Sequence, residues 1–116
     1  MGAGLLPVIG RLESGHRLGY AGLPDGQAAA CKLAPSACLR RNFYVDTMGS
    51  WPPHLREAVE VFGADRVLPG SDYPAVPISP REHIDIIRSL GLGAIAGQKI
   101  LGRNAQELFQ LDLAPA

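Results

Sequence analysis

The carboxylate best placed for chemistry is Asp72, which lies in Gly70-Ser71-Asp72-Tyr73-Pro74 directly after the run Arg66-Val67-Leu68. Gly70 lets the backbone turn sharply, and Pro74 restricts Tyr73 to extended conformations, so this side chain stands between two stiff points. A carboxylate fixed in that way can ligate a divalent metal or take a proton from metal-bound water. Spacing alone favours a plainer role, an aspartate that caps its own loop. Asp46 follows Phe43-Tyr44-Val45 and offers the same choice: a second carboxylate at a strand exit, or an Asx turn with Thr47 to Gly49.

The nitrogen and sulfur donors form no obvious metal set. His16, His54 and His83 show neither a His-x-His pair nor a shared spacing. His54 and His83 fall in the first turns of expected helices, where solvated surface is the ordinary fate, and His16 lies in a Gly-bounded loop. Cys31 and Cys38 lack Cys-x-x-Cys spacing and read as two small buried thiols in a reducing cytosol. Gly2-Ala3-Gly4 precedes a helical start and could hold an anion on free N–H groups, a weak signal by itself. Trp51, Tyr20 and Tyr73 could line a pocket, although single aromatics are more often core.

These residues sit in a chain of 116 residues, the length of one ordinary domain, and a hydrophobic content of 47% suffices for a real core. Lys+Arg and Asp+Glu both number 11, so no net field draws the protein to nucleic acid, an anionic membrane or an acidic substrate. Met1 to Leu6 has no basic segment before its apolar residues, and Pro7 and Arg11 interrupt it, so it reads as neither an export signal nor a membrane span.

The elements that must position Asp72 read as follows. Leu5, Val8, Ile9 and Leu12 lie on one face of a short helix. Gly15 to Gln27 reads as loop, with a turn at Leu23-Pro24-Asp25-Gly26, and Ala28 to Arg41 as short helical turns broken at Pro35-Ser36. Phe43 to Val45 reads as a buried strand. Pro52 and Pro53 open a helix in which Leu55, Ala58, Val59 and Phe62 repeat at helical spacing until Gly63. Arg66 to Leu68 is a second strand, so strand, helix and strand make a βαβ unit with parallel strands. Ser79 caps a helix from Pro80 to Leu90 whose inner stripe is Ile84, Ile87 and Leu90, with Ile86 beside it. Gly91 to Gly97 is a flexible break, and Ile100 to Leu111 is helical again.

Four pieces in this order resemble the amidohydrolase-related family that includes aminocarboxymuconate-semialdehyde and resorcylate decarboxylases. They are Gly2 to Pro7 leading into Gly10-Arg11-Leu12, then Asn42 to Thr47, then Phe62 to Leu68 running into Gly70 to Pro74, and finally Lys99 to Ala105. The resemblance implies an α/β fold, the C-terminal part of a (β/α)8 TIM-type barrel with about two parallel strands plus several helices. Residues 1–116 are then one C-terminal fragment of that barrel domain. It places Asp72, with Ser71 in place of the family's threonine, at the catalytic metal, as ligand or as the group facing it. It makes Asn104 structural.

By the same resemblance the complete protein is a metal-dependent hydrolase or nonoxidative decarboxylase that acts on a small organic acid or cyclic substrate and uses a divalent metal, commonly zinc; the cysteine pattern adds the expectation that it is cytoplasmic. The family's histidine before the Gly-rich segment corresponds to Met1 here, and its His-x-His and middle-strand histidine have no counterpart among these 116 residues. One carboxylate alone holds zinc too weakly for catalysis. The expectation is that the chain by itself is inactive; an N-terminal barrel chain encoded separately or a homo-oligomer, a wrong start site, or a degraded gene would each explain it. The competing reading is an inactive truncated relative that serves as an interaction module.

Overall fold

The computed structural model describes residues 4–19 and 32–112. The anion-binding reading of Gly2 and Ala3, Tyr20, the turn at Leu23 to Gly26, and Cys31 all lie outside the described residues. In chain order the elements are α1 (Leu5–Arg17), α2 (Pro35–Asn42), β1 (Val45–Asp46), α3 (Pro52–Phe62), a 3-10 turn (Ala64–Arg66), β2 (Val67–Leu68), α4 (Pro80–Ser89), α5 (Ala94–Gln98), a π-helical segment (Lys99–Arg103) and α6 (Asn104–Phe109).

β1 and β2 pair in parallel, Val45 opposite Val67 and Asp46 opposite Leu68, with α3 as the crossover. The expected βαβ unit is therefore present. The first strand, however, begins two residues later than Phe43. Phe43 is extended but outside the ladder, because its N–H closes α2 by donating to the Leu39 carbonyl at 3.1 Å. Of the Phe43 to Val45 run only Val45 is buried.

The core forms where these elements meet. Leu6, Leu39, Val45, Ala58, Phe62, Val67, Ile87 and Ile100 make one cluster, so α1, α2, α3, α4 and the π segment all contribute to covering the two strands. Burial of such side chains is the main force holding the unit together, at roughly 1.5–3 kcal/mol for each large aliphatic or aromatic group. Among the described residues no helix is long and apolar enough to cross a membrane.

Local chemistry explains where the helices begin and end. Pro52 and Pro53 open α3, and Gly63 closes it at φ 90°. The Arg40 guanidinium donates to the Val61 and Glu60 carbonyls at 2.9 and 2.7 Å, which satisfies the free C-terminal end of α3 from outside. Pro35 opens α2 instead of breaking a longer helix, because its missing N–H costs nothing at a first helical position. The Glu13 carboxylate of α1 accepts the Ser36 N–H at 2.7 Å in the first turn of α2, and Ser36 holds its pKa below the ordinary value.

α1 itself runs through Gly15 and His16 to Arg17, so the expected loop starts later than Gly15. Its last turn carries His16 and Arg17, and the Arg17 charge favours a helix C-terminus. The break after α4 is also shorter than expected, since helix resumes at Ala94.

The inner stripe of α4 is rotated from the expected one. His83, Ile87 and Leu90 are buried at spacing i, i+4, i+7, whereas Ile84 is 37% exposed. The Ser79 cap is as anticipated, its Oγ accepting the Glu82 N–H at 3.2 Å. At the end of the chain, buried Asn104 donates to the Ala64 and Val67 carbonyls at 2.7 and 2.8 Å. Asn104 thereby fastens α6 to β2, the structural place expected for it.

Candidate functional site

Side chains beyond the carboxyl ends of parallel strands face the side on which such folds bind ligands. Here that rim consists of Asp46 to Ser50 after β1 and Pro69 to Pro74 after β2.

Asp72 stands four residues beyond β2, exposed, with φ 56°. The sharp turn expected at Gly70 is made at Asp72 itself, since aspartate is among the few residues that enter the left-handed region at modest cost. The loop is closed locally: the Val76 N–H donates to the Asp72 carbonyl at 2.9 Å, and the Tyr73 N–H donates to Ser71 Oγ at 3.3 Å. The Asp72 carboxylate has no hydrogen-bond partner among the described residues. The loop-capping reading therefore does not describe its side chain. The Tyr73–Pro74 peptide bond is cis.

Gly70 has another function, space. A Cβ built there would lie 3.0 Å from Asp46 Cβ and 3.4 Å from its Cγ, so the two exit loops pack closely and a side chain at position 70 would have to push Asp46 aside by a few tenths of an ångström. Asp46 takes the Asx-turn form, its Oδ1 accepting the Met48 N–H at 3.1 Å.

Between these loops lies a residue that the sequence pattern had placed on the surface. His83 is 3% exposed. Its Nε2 is 2.7 Å from Thr47 Oγ1, and its Nδ1 is hydrogen-bonded to Ser50 Oγ. Thr47 Oγ1 also accepts the Gly70 N–H at 3.1 Å. Burial lowers the His83 pKa, and the nearby Asp46 charge opposes this by a smaller amount. The signal available in the sequence was the spacing of residue 83 to Ile87 and Leu90.

The remaining candidates separate. His54 is exposed on α3, and His16 lies at the end of α1, remote in sequence from the rim. Cys38 is free and half-buried. Trp51 and Tyr73 are each 58% exposed, so neither is core. Among the described residues no three His, Cys, Asp or Glu side chains converge as metal donors. The described residues alone therefore do not fit a complete metal centre.

The opposite ends of the strands hold a cavity of about 460 Å³ lined by Arg40, Tyr44, Asp65, Arg66, Lys99 and Asn104. Its cations are engaged within the fold: Arg40 on α3 carbonyls, Lys99 with Asp65, and Arg66 over the Tyr44 ring at 4.7 Å.

Comparison with known proteins agrees with this geometry. The chain superimposes on 2,6-dihydroxybenzoate decarboxylase from Rhizobium with TM-score 0.72 at 28% identity, covering 96% of this chain and 33% of that one. For 5-carboxyvanillate decarboxylase from Sphingomonas paucimobilis the values are 0.73, 29%, 92% and 31%. For a dihydroxybenzoic acid decarboxylase from Polaromonas sp. JS666, with bound manganese and the inhibitor 2-nitroresorcinol, they are 0.73, 29%, 97% and 32%. The chain therefore spans about a third of the length of these structures. No curated protein matches it significantly. The Amidohydrolase family model matches residues 19–111, four-fifths of the chain, and the protein belongs to that family.

Proposed function

We propose that residues 1–116 are the C-terminal portion of a (β/α)8 barrel domain, with β1 and β2 as neighbouring strands, and that the whole protein is a cytoplasmic, metal-dependent nonoxidative decarboxylase of a small hydroxylated aromatic acid. Family membership and the names of the similar solved structures support this reading. The observation that carries it is Asp72: an exposed carboxylate with no hydrogen-bond partner among the described residues, fixed in a turn at the ligand-binding side of a parallel strand pair.

Nonoxidative decarboxylation replaces an aryl C–COO⁻ bond by C–H. Carbon dioxide leaves, the bonding electron pair stays on the ring carbon, and one proton is added there. A bound divalent ion supplies charge stabilisation for such chemistry. Asp72 contributes a carboxylate oxygen or handles the proton, and Gly70 and Thr47 hold its turn in place. Zinc is the ion implied by the sequence resemblance and manganese is held by the Polaromonas structure; a carboxylate oxygen suits either.

The further donors lie outside these 116 residues, in the remaining part of the barrel or in a second copy of the chain. Hydrolysis of a small cyclic substrate is the second reading, favoured by the family's name. An inactive interaction module is the third, favoured by the incomplete donor set among the described residues.

A chimera tests the proposal. The corresponding third of the Rhizobium 2,6-dihydroxybenzoate decarboxylase is replaced by this chain, and resorcinol release and metal content are measured. We expect both to be retained, and Asp72→Asn to abolish turnover and reduce bound metal. Unchanged turnover and metal content in that variant refute the role of Asp72.

A further inference from the structure

Thr47, Ser50 and His83 form a buried polar cluster at the rim, at 1%, 7% and 3% exposure, and the reading of Asp72 makes no use of His83 or Ser50. Burying polar groups is costly unless each is paired, and no buried side-chain nitrogen or oxygen among the described residues lacks a partner. An aliphatic side chain would continue the stripe of Ile87 and Leu90 more simply. The imidazole differs from one in its two hydrogen-bonding nitrogens, and both are used.

Those two bonds reach different places on one loop. Nδ1 meets Ser50 Oγ, at a residue with φ 50°, and Nε2 meets Thr47 Oγ1, directly after β1. The same Thr47 oxygen receives the Gly70 N–H, two residues before Asp72. A single chain of contacts therefore runs from Ser50 through the α4 imidazole and Thr47 to the turn that carries Asp72. Neutral imidazole has one donor and one acceptor nitrogen, so either tautomer completes the chain.

We propose that His83 is a positioning residue, which through Thr47 and Ser50 locks the Asp46–Ser50 turn and the Gly70–Asp72 turn in one mutual arrangement. Its functional meaning, a carboxylate presented in one place, rests on the proposed role of Asp72; the clamp itself does not.

The test is hydrogen–deuterium exchange read by NMR on the whole chain, comparing the Gly70 amide with the α3 amides of Ala58 and Phe62. In His83→Phe the Gly70 amide is expected to exchange about tenfold faster relative to the α3 amides. In Ser50→Ala, a milder change, the same selective loss is expected, because the Ser50 hydroxyl acts on Thr47 and Gly70 through the imidazole. His83→Gln, whose amide can reach Thr47, is expected to restore part of the protection. Gly70 protection that stays constant in Ser50→Ala, or falls only in step with Ala58 and Phe62, overturns the proposal. Exchange at Gly70 involves neither metal nor turnover, so this result and the fate of the Asp72 reading are independent.

Discussion

His83 Nε2 and Thr47 Oγ1 lie 2.7 Å apart, joining the first turn of α4 to the residue that follows β1. The contact brings together residues separated by 36 positions and makes a histidine part of the interior.

A pH dependence of stability follows. His83 is lowered in the folded state by burial, so protonation favours the unfolded chain. Its contribution is fully present above the unfolded histidine value of about 6.5 and is lost as pH falls from there through the depressed folded value. Urea midpoints measured between pH 8 and pH 5 should fall more steeply for the natural chain than for His83→Gln. Parallel curves would show that His83 has no such linkage.

Gly70→Ala should destabilise by about 1–3 kcal/mol, the usual cost of overpacking, because its methyl group meets the Asp46 side chain. Asp46→Gly removes the obstructing Cβ. In a double-mutant cycle monitored by urea unfolding the two changes should be strongly non-additive, the second relieving the first. Simple additivity would mean that the loops part without resistance.

Asn104→Ala should cost about 1–3 kcal/mol, since it strips the Ala64 and Val67 carbonyls of their shared donor. Asn104→Asp should be worse, because it turns an anionic acceptor towards two carbonyl oxygens. Thermal melts of the two variants give the order directly, and a better-tolerated aspartate would contradict it.

Asp72→Asn should leave stability within about 0.5 kcal/mol of the natural chain, since the side chain is exposed and bonds to no described residue. Asparagine also accepts the left-handed conformation. Asp72→Val should lose about 1–2 kcal/mol, because a β-branched residue is strained at φ 56°. Equal melting temperatures for the two variants would show that this turn relaxes freely.

Much of the frame was legible in the sequence because it depends on neighbours in the chain. Proline at the start of α3, Gly63 at its end, and the Ser79 cap on α4 are local devices, and all are found. The parallel pair around α3 follows from them. What escaped depends on distance. Which residue begins the ladder depends on a partner strand, Val67 lying opposite Val45, and whether His83 turns inward is decided by hydroxyls 33 and 36 residues earlier. At the candidate site, the location of Asp72 on the loop after β2 was legible, but its left-handed backbone was not, because glycine nearby made Gly70 the natural place for the bend.

That backbone also restricts how position 72 can vary. Among uncharged replacements glycine and asparagine enter the left-handed region most readily. A saturation library selected for folding alone should therefore be enriched in these two, and one selected for the chemistry should return to aspartate. The turn thus acts as a filter on heredity, admitting silent loss of the carboxylate through two narrow exits while keeping its shape.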